Sequence, residues 1–244
     1  MRAFAKLTWI EMKLFAREPL ALIFTFAFPL VVLLTLVGSF EPNDPAFGGV
    51  RPSDYYLASY VAVVIGAVGL VFLPVHLAAY RERGVLRRFR ASSMPAWAVV
   101  GAQVLVALAA AAVGSAVLIV AGKLIFGAAL PASPGGTVLA FLASALGVMA
   151  IGVLMASVVR SARAAQALGM ILFFPLWLLS GAGPPPDVMG AGMRAVSNAL
   201  PLTHAVKALQ APWLGTGFAW TDMLLLVGIL AVAGALSVRA FRTA

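Results

Sequence analysis

Six long apolar runs, separated by short charged or proline-rich breaks, constrain this chain more than any other feature. About 20 helical residues at a rise of 1.5 Å each cross the roughly 30 Å hydrocarbon core of a bilayer, so each run predicts a membrane-spanning helix. The predicted spans are residues 20–40, 57–80, 97–122, 137–159, 164–183 and 222–240. The predicted fold class is therefore an all-α membrane protein with six transmembrane helices.

The composition leaves little room for a water-soluble domain. Of the 244 residues, 63% are apolar and only 10% are charged, whereas soluble domains carry about 45–50% apolar and about 25% charged residues. We therefore expect residues 1–244 to form a single transmembrane domain. Any water-soluble catalytic machinery must then belong to another chain.

The basic residues are distributed unevenly between the two predicted sides of the membrane. Because cytoplasmic loops carry the excess of lysine and arginine, the side with thirteen of the 17 basic residues is predicted to be cytoplasmic, together with both chain termini. These thirteen are Arg2, Lys6, Lys13, Arg17, Arg81, Arg83, Arg87, Arg88, Arg90, Arg160, Arg163, Arg239 and Arg242. The net charge of +9 then reflects topology and anionic lipid rather than nucleic acid.

Residues 2–17 are predicted to form an amphipathic helix in the membrane interface, because basic and apolar side chains fall on different sides at 100° per residue. Pro19 ends this helix and redirects the chain into the first span. The helix is either a generic anchor or also a contact for a cytoplasmic partner. Glu11 and Glu18 motivate the second interpretation, because both point away from the basic stripe and need polar neighbours.

The predicted spans are almost free of charge. His76, near the inner end of the second span, is more readily explained as an interfacial packing residue than as a proton relay, and an ion-coupled carrier normally needs more ionisable groups. The third span is rich in alanine and glycine between Ala107 and Ala116, which predicts a close packing surface. That surface could lie within one protomer or between two.

Residues 80–95, on the predicted cytoplasmic side, hold five arginines and one acid. One interpretation is a solvated positive loop, which many inner-membrane proteins have. The other is a short docking helix whose arginines meet acidic groups of a soluble partner, with Leu86 and Phe89 filling a groove.

Residues 180–215, between the fifth and sixth predicted spans, are too apolar for an ordinary exposed loop and too broken by proline to span the bilayer. Short helices that dip into the outer leaflet and an amphipathic loop lying on its surface both fit these residues.

The inner segment resembles a stretch of the permease subunits of type-two ATP-binding-cassette (ABC) exporters, Glu-x-Gly-x-Leu-x-Arg-x-Arg-Ala ending in Met-Pro. The matching residues are Glu82, Gly84, Leu86, Arg88, Arg90, Ala91, Ser93, Met94 and Pro95. The resemblance implies that this stretch contacts the ATPase subunit. The ATPase-coupling residues would be Glu82, Gly84, Leu86, Arg88, Phe89 and Arg90. Val85 and Arg87 depart from the common pattern.

The outer segment resembles the same family, which forms re-entrant helices there that cap the translocation path. The residues implied for this outer re-entrant gate are Ser180, Gly181, Pro201, Thr203 and His204. Gln210 stands where an arginine is common, so a salt bridge at that point is not expected. The resemblance extends over nearly the whole chain, from the amphipathic start to the outer segment.

Signatures of catalysis are missing from the sequence. It has no G-x-x-x-x-G-K phosphate loop followed by serine or threonine, no H-E-x-x-H, no G-x-S-x-G and no cysteine. Two isolated histidines do not make a metal site. We therefore predict a transport subunit that is not an enzyme and holds no cofactor. ATP and Mg²⁺ would bind in the partner ATPase.

The family resemblance implies the membrane subunit of an ATP-driven exporter in the bacterial plasma membrane, with two permease protomers docked to cytoplasmic ATPase subunits. An apolar or amphipathic substrate would suit the aromatic and methionine side chains of the first and fifth spans, although such a stripe is more often ordinary helix packing. The residues of this possible substrate path are Phe24, Phe28, Met170, Phe173, Phe174 and Trp177.

Two other functions fit parts of the sequence. One is a stand-alone secondary carrier or channel without an ATPase, and the other is a scaffold or immunity-type membrane protein. Drug, lipid, glycan and peptide substrates, and pairing with itself or with a sister subunit, are all compatible with the residues present.

Overall fold

A computed structural model describes residues 2–84 and 96–243. The described residues form helices joined by short loops and contain no strand, which confirms the predicted all-α class. The α-helices are α1 (Arg2–Phe15), α2 (Pro19–Leu22), α3 (Phe28–Gly38), α4 (Pro52–Ala67), α5 (Leu73–Glu82), α6 (Ala96–Phe126), α7 (Pro134–Val158), α8 (Ala162–Leu179), α9 (Ala191–Ser197), α10 (Pro201–Leu214) and α11 (Trp220–Thr243). Short 3-10 turns lie at Pro45–Phe47 and Pro186–Val188.

Five helices of the described part are long and apolar enough to cross a membrane, and they occupy the second to sixth predicted spans. They are Pro52–Glu82, Ala98–Phe126, Pro134–Val158, Ala162–Leu179 and Trp220–Ala240. The first predicted span contains a shorter apolar helix, Ile23–Gly38. The helix in the fifth ends at Leu179, four residues before the predicted boundary, because Gly181 takes a left-handed φ of 88° and turns the chain.

Single turns of π-helix interrupt two of the apolar helices, at Ile23–Ala27 and at Val68–Phe72. A proline follows each turn two residues later, Pro29 in one case and Pro74 in the other. Proline has no N–H, and its ring clashes with the carbonyl group four residues earlier, so a wider turn accommodates it. The chain therefore continues from α4 into α5 as one helix, which we call the central helix (Pro52–Glu82).

Glycines of two neighbouring helices meet the backbone of the second π turn. A Cβ atom on Gly152 of α7 would lie 1.9 Å from the Gly69 carbonyl oxygen, and one on Gly169 of α8 would lie 2.4 Å from the Leu70 oxygen. No side chain fits at those distances. Glycine thus allows α7 and α8 to pack directly against the central helix, where Cα–H groups can approach carbonyl oxygens.

The central helix is buried along most of its length, with α6, α7, α8 and α10 packed around it. The α8 and α11 helices are exposed along most of their most apolar stretches. Apolar side chains on such surfaces meet lipid or another chain in a membrane protein. The exposed apolar side chains of α8 include Ile171, Leu172 and Leu178.

Part of the small-residue surface predicted in the third span faces the interior of the bundle, on one side of α6. Ala107 and Ala111 are fully buried. A Cβ on Gly114 would lie 2.9 Å from the Val64 side chain and 3.1 Å from the Thr25 carbonyl oxygen. This part of α6 therefore contacts the central helix and the first π turn.

Residues Arg2–Phe15 form a helix, but its exposed side carries both apolar and basic side chains, not the separated stripes that the sequence predicted. Trp9, Ile10 and Leu14 are exposed, with Lys13 positioned over the Trp9 ring at 5.2 Å from its centroid. Glu11 and Phe15 are buried on the opposite side, which faces α6. One side of α1 is thus fixed to the bundle, while the other presents apolar and basic groups outward.

Candidate functional site

The two segments singled out by the sequence lie at opposite ends of the central helix. We call the end at which residues 80–95 leave the bundle the basic end. The structure describes this segment only as far as Gly84, so four predicted coupling residues lie outside the described residues. These are Leu86, Arg88, Phe89 and Arg90.

Gly84 ends the central helix at the basic end. Its φ is +66°, in the left-handed region that favours glycine, and its N–H donates to the Arg81 carbonyl oxygen at 3.1 Å. A left-handed glycine just past the last turn is a common helix stop, because it satisfies carbonyl groups that have no partner further along the helix. Gly84 therefore stops the central helix, and its role in coupling stays a prediction.

Arg81 and Glu82 bind the two helix ends that meet at the neighbouring turn. The Arg81 guanidinium donates to the Ser157 carbonyl oxygen in the last turn of α7. The Glu82 carboxylate accepts from the Ala162 N–H at 3.0 Å, at the first residue of α8. Each charge is opposite to the partial charge of the helix end that it contacts. The first residues of the arginine-rich segment 80–95 are thus hydrogen bonded to the α7–α8 turn.

Glu11 of α1 is hydrogen bonded to α5 and α6, the helices that precede and follow residues 80–95. Its buried carboxylate accepts from the Tyr80 hydroxyl, near the end of α5, and from the Gln103 amide of α6 at 2.7 Å. Glu11 therefore finds its polar neighbours within the chain. This carboxylate no longer argues that α1 contacts a separate cytoplasmic partner.

At the opposite end, tyrosines of the central helix hold the turn that follows α8. The Tyr55 hydroxyl donates to the Gly181 carbonyl oxygen at 2.9 Å, and the Tyr56 hydroxyl donates to the Gly183 oxygen at 3.1 Å. Ser180 is buried, and its hydroxyl donates to the Trp177 carbonyl oxygen at 2.8 Å. The predicted gate residues Ser180 and Gly181 thus lie in one turn that is fixed to the central helix.

The other predicted gate residues lie in α10. Pro201 is its first residue, where a missing N–H costs nothing. Thr203 is buried, with its hydroxyl 3.4 Å from that of Ser197. His204 Nδ1 lies 2.7 Å from Asp222 in the first turn of α11. These contacts join α10 to α9 on one side and to α11 on the other.

The two helices next to the predicted gate residues, α8 and α10, meet at the central helix. Gly66 leaves room there for Leu202 of α10 and Phe173 of α8, and a Cβ on Gly66 would lie 3.2 Å from each side chain. Gln210, in place of the arginine common in the family, donates to the Ser59 hydroxyl at 2.8 Å. Gln210 therefore makes a neutral hydrogen bond to the central helix at this position, in line with the expectation that no salt bridge forms there.

Asp54 fixes a further loop at this end. Its carboxylate accepts from the Arg51 guanidinium at 2.9 and 3.2 Å and from the Ala129 N–H at 2.7 Å. The Ala129 carbonyl oxygen in turn accepts from the Trp213 indole at 3.2 Å. The start of the central helix, the loop after α6 and the end of α10 are thus linked.

Five of the six predicted path residues form a connected aromatic cluster between the first apolar helix and α8. Ring centroids lie 5.3 Å apart for Phe28 and Trp177, 6.0 Å for Phe28 and Phe174, and 5.9 Å for Phe24 and Phe28. Phe173 also contacts Phe28 but is fully buried, so it acts as a core residue in this conformation. The sixth residue, Met170, is half-buried on the same helix.

Comparison with known proteins identifies the family. The model of a family described as "ABC-2 type transporter" matches residues 2–213. The chain belongs to the ABC-2 type transporter family. The resemblance carried by the Glu82–Pro95 stretch and the outer segment is thereby confirmed.

Two curated relatives of this ABC-2 protein share the name "Inner membrane transport permease YhhJ", one from Escherichia coli (strain K12) and one from Shigella flexneri. Each is 27% identical over 213 residues, which cover 82% of this chain and 53% of the relative. The chain therefore spans about half the length of the curated relatives it matches.

Several residues that hold the two ends of the bundle were not predicted from the sequence. Glu11 was noted as an acid in need of a polar neighbour, but nothing indicated that Tyr80 and Gln103 supply it. Tyr55 and Tyr56 stand at the N-terminal end of an apolar run, where aromatic residues commonly lie at a membrane interface. Their hydrogen bonds to the turn after α8 depend on contacts that sequence spacing does not encode.

Proposed function

We propose that this chain is the permease of an ATP-driven exporter in the bacterial inner membrane, with both termini in the cytoplasm. Two permease protomers would pair, and each would bind a separate cytoplasmic ATPase subunit through residues 80–95. Six spans would cross the membrane, with Ile23–Gly38 as the first. The substrate would be apolar or amphipathic.

One observation carries this proposal beyond the family assignment, namely the hydrogen bonding around the predicted docking segment. Tyr80 is bound to α1, while Arg81 and Glu82 are bound to the end of α7 and the start of α8. A displacement of residues 80–95 by a partner would therefore pull on α1 and on the α7–α8 turn together. Coupling requires such a connection, because ATP can drive transport only through contacts that differ between two states of the permease.

The opposite end of the bundle supports a further part of the proposal, a re-entrant segment that acts as the outer gate. The α10 helix has 14 residues, too few to cross a bilayer, and buries Leu202, Ala205 and Leu209 against the bundle. Its length and its burial favour a re-entrant segment that closes the outer side of the path. The Tyr55–Gly181 hydrogen bond would form part of the closed gate.

The exposed apolar side of α8 supports the pairing of protomers. Phe174 and Trp177 are partly exposed beside Phe28, and Ile171 and Leu178 of the same helix are exposed. A second permease protomer would cover this surface and place the aromatic cluster between the two chains.

The proposal predicts that a gene beside this one encodes a soluble ATPase with a phosphate loop, and co-expression of the two proteins tests it. We expect the two proteins to co-purify and the permease to alter the rate of ATP hydrolysis. Glu82→Ala should leave the complex assembled, because Glu82 is exposed and the loss of a helix cap costs only about 0.5–2 kcal/mol. ATP hydrolysis should continue in this variant, whereas transport should be lost.

The matched control is Glu41→Gln, which alters an exposed carboxylate at the other end of the bundle. This variant should couple normally. Full transport by Glu82→Ala would reject the coupling role of this region. Transport at full rate by the purified chain alone in liposomes would reject the ATP-driven mechanism and favour a secondary carrier.

A further inference from the structure

Both limbs of the outer segment, residues 180–215, are fastened to the same turn of the central helix. Gly181 lies at the start of this segment, and its carbonyl oxygen accepts from the Tyr55 hydroxyl at 2.9 Å. Gln210 lies near the end of the segment, and its amide donates to the Ser59 hydroxyl at 2.8 Å. Tyr55 and Ser59 are four residues apart, which is about one helical turn. The limb that enters the bundle and the limb that leaves it therefore meet at one point.

Ser59 joins these contacts into one chain of hydrogen bonds. Ser59 is fully buried, and its hydroxyl donates to the Tyr55 carbonyl oxygen at 2.7 Å while it accepts from Gln210. The Gln210 amide also contacts the Tyr55 hydroxyl, the group that holds Gly181. One amide of α10 is therefore linked, through a single turn of the central helix, to the start of the outer segment.

All groups in this chain of hydrogen bonds are uncharged. They are an amide, an alcohol, a phenol and two backbone carbonyl groups. Loss of one neutral hydrogen bond shifts an equilibrium by only about two- to tenfold. An arginine in place of Gln210 would leave a charge without a partner whenever the contact broke, which is costly inside a membrane. The neutral contact therefore favours the closed arrangement and still allows it to open.

The α10 helix covers the side of the central helix on which these contacts lie. Gln210 meets Ser59, and Leu202 packs at Gly66, two helical turns further along the central helix. Ala62 lies between Ser59 and Gly66 on the same side. It is fully buried. Separation of α10 from the central helix would therefore expose Ala62 to water.

We propose that Gln210 is a positioning residue of the outer gate, and that its hydrogen bond to Ser59 is a neutral latch that holds α10 on the central helix. This inference rests on the proposed function, in which the outer segment closes the translocation path. Opening of the path would break the contacts of Gln210 and Tyr55 together, because both belong to one chain of hydrogen bonds.

Reaction of an introduced cysteine with a water-soluble maleimide tests the latch, because the chain itself has no cysteine. Ala62→Cys serves as the reporter in the purified full chain, held in lipid nanodiscs. Addition of Gln210→Leu should raise the labelling rate of this reporter about two- to tenfold, since α10 loses a neutral hydrogen bond to the central helix. An unchanged labelling rate would overturn the proposal.

Two controls separate the latch from general destabilisation. Gln166→Leu makes the same chemical change in α8, beside the cavity at the basic end, and should leave the labelling of Ala62→Cys unchanged. Ala78→Cys is an equally buried reporter in the other half of the central helix, and Gln210→Leu should not alter its labelling rate. An equal rise at both reporters would show that Gln210 only stabilises the fold, and would reject its positioning role.

Removal of the acceptor provides an independent test. Ser59→Ala should raise the labelling rate of Ala62→Cys by a factor similar to that of Gln210→Leu. Because both changes break the same hydrogen bond, the double variant should label no faster than the faster of the two single variants. Multiplication of the two effects would show that the residues act independently, and would reject the latch.

The labelling experiments contain no ATPase, so they separate the latch from the coupling at the basic end. Failure of the predicted labelling in a permease that still couples to its ATPase would reject the latch alone. A permease that labels as expected but does not couple would reject only the proposed function.

Discussion

Gly152→Ala tests the close approach of α7 to the central helix. The added methyl group would lie 1.9 Å from the Gly69 carbonyl oxygen, whereas carbon–oxygen contacts of this kind lie at about 3.3–3.6 Å. One of the two helices must therefore move by roughly 1.4 Å. Both groups that clash are held by backbone, so no side-chain rotation relieves the clash. Overpacking of this kind costs about 1–3 kcal/mol, and occasionally more.

Gly228→Ala in α11 is the matched control, because a Cβ there meets nothing within 4 Å. Alanine is favoured over glycine in a helix by about 1 kcal/mol, and this gain is common to both variants, so it cancels in their comparison. The free energies of unfolding of the two variants should therefore differ by the overpacking cost of about 1–3 kcal/mol. At about 2–4 °C per kcal/mol for a chain of this size, the Tm of Gly152→Ala should lie at least about 2 °C below that of Gly228→Ala.

Thermal unfolding of the purified variants in one detergent, followed by fluorescence or by size-exclusion chromatography after heating, measures this difference. Equal Tm values would refute the reasoning, since the two helices would then have room for a side chain where they are argued to touch through backbone.

Two further variants test the hydrogen bonds at the two ends of the bundle. Glu11→Ala removes the acceptor of the half-buried Tyr80 hydroxyl and of the buried Gln103 amide, at a cost of about 1–3 kcal/mol, and should lower the Tm more than Met12→Ala on the exposed side of α1. Equal shifts would reject the anchoring role of Glu11. Tyr56→Phe removes the hydroxyl that donates to the turn after α8 and should destabilise by about 1 kcal/mol. An unchanged Tm would show that this hydrogen bond contributes nothing to the fold.

The apolar runs predicted the approximate positions of the five long helices, because the length of a spanning helix follows directly from the thickness of a bilayer. The predicted count of six spans is not confirmed, since the first run holds the shorter helix Ile23–Gly38. The same argument could not separate the helix that ends at Leu179 from the turn at Ser180 and Gly181, since both are apolar. That boundary depends on a left-handed glycine and on hydrogen bonds from Tyr55 and Tyr56. Both lie more than a hundred residues earlier in the chain.

The prolines that distort two helices are visible in the sequence, but the glycines that pack against those distortions cannot be identified from it. Because proline has no N–H, the sequence shows that Pro74 cannot donate to the Leu70 carbonyl oxygen four residues earlier. For the same reason, Pro29 cannot donate to the Thr25 carbonyl oxygen. The glycines that meet these carbonyls, Gly169 and Gly114, stand in other helices, and only the register of packing pairs each proline with its glycine. A helix distorted by proline in lipid needs a neighbour that can approach its exposed backbone closely. Each π turn and its facing glycine are therefore one structural unit, and replacing either member alone should cost more than removing an isolated contact.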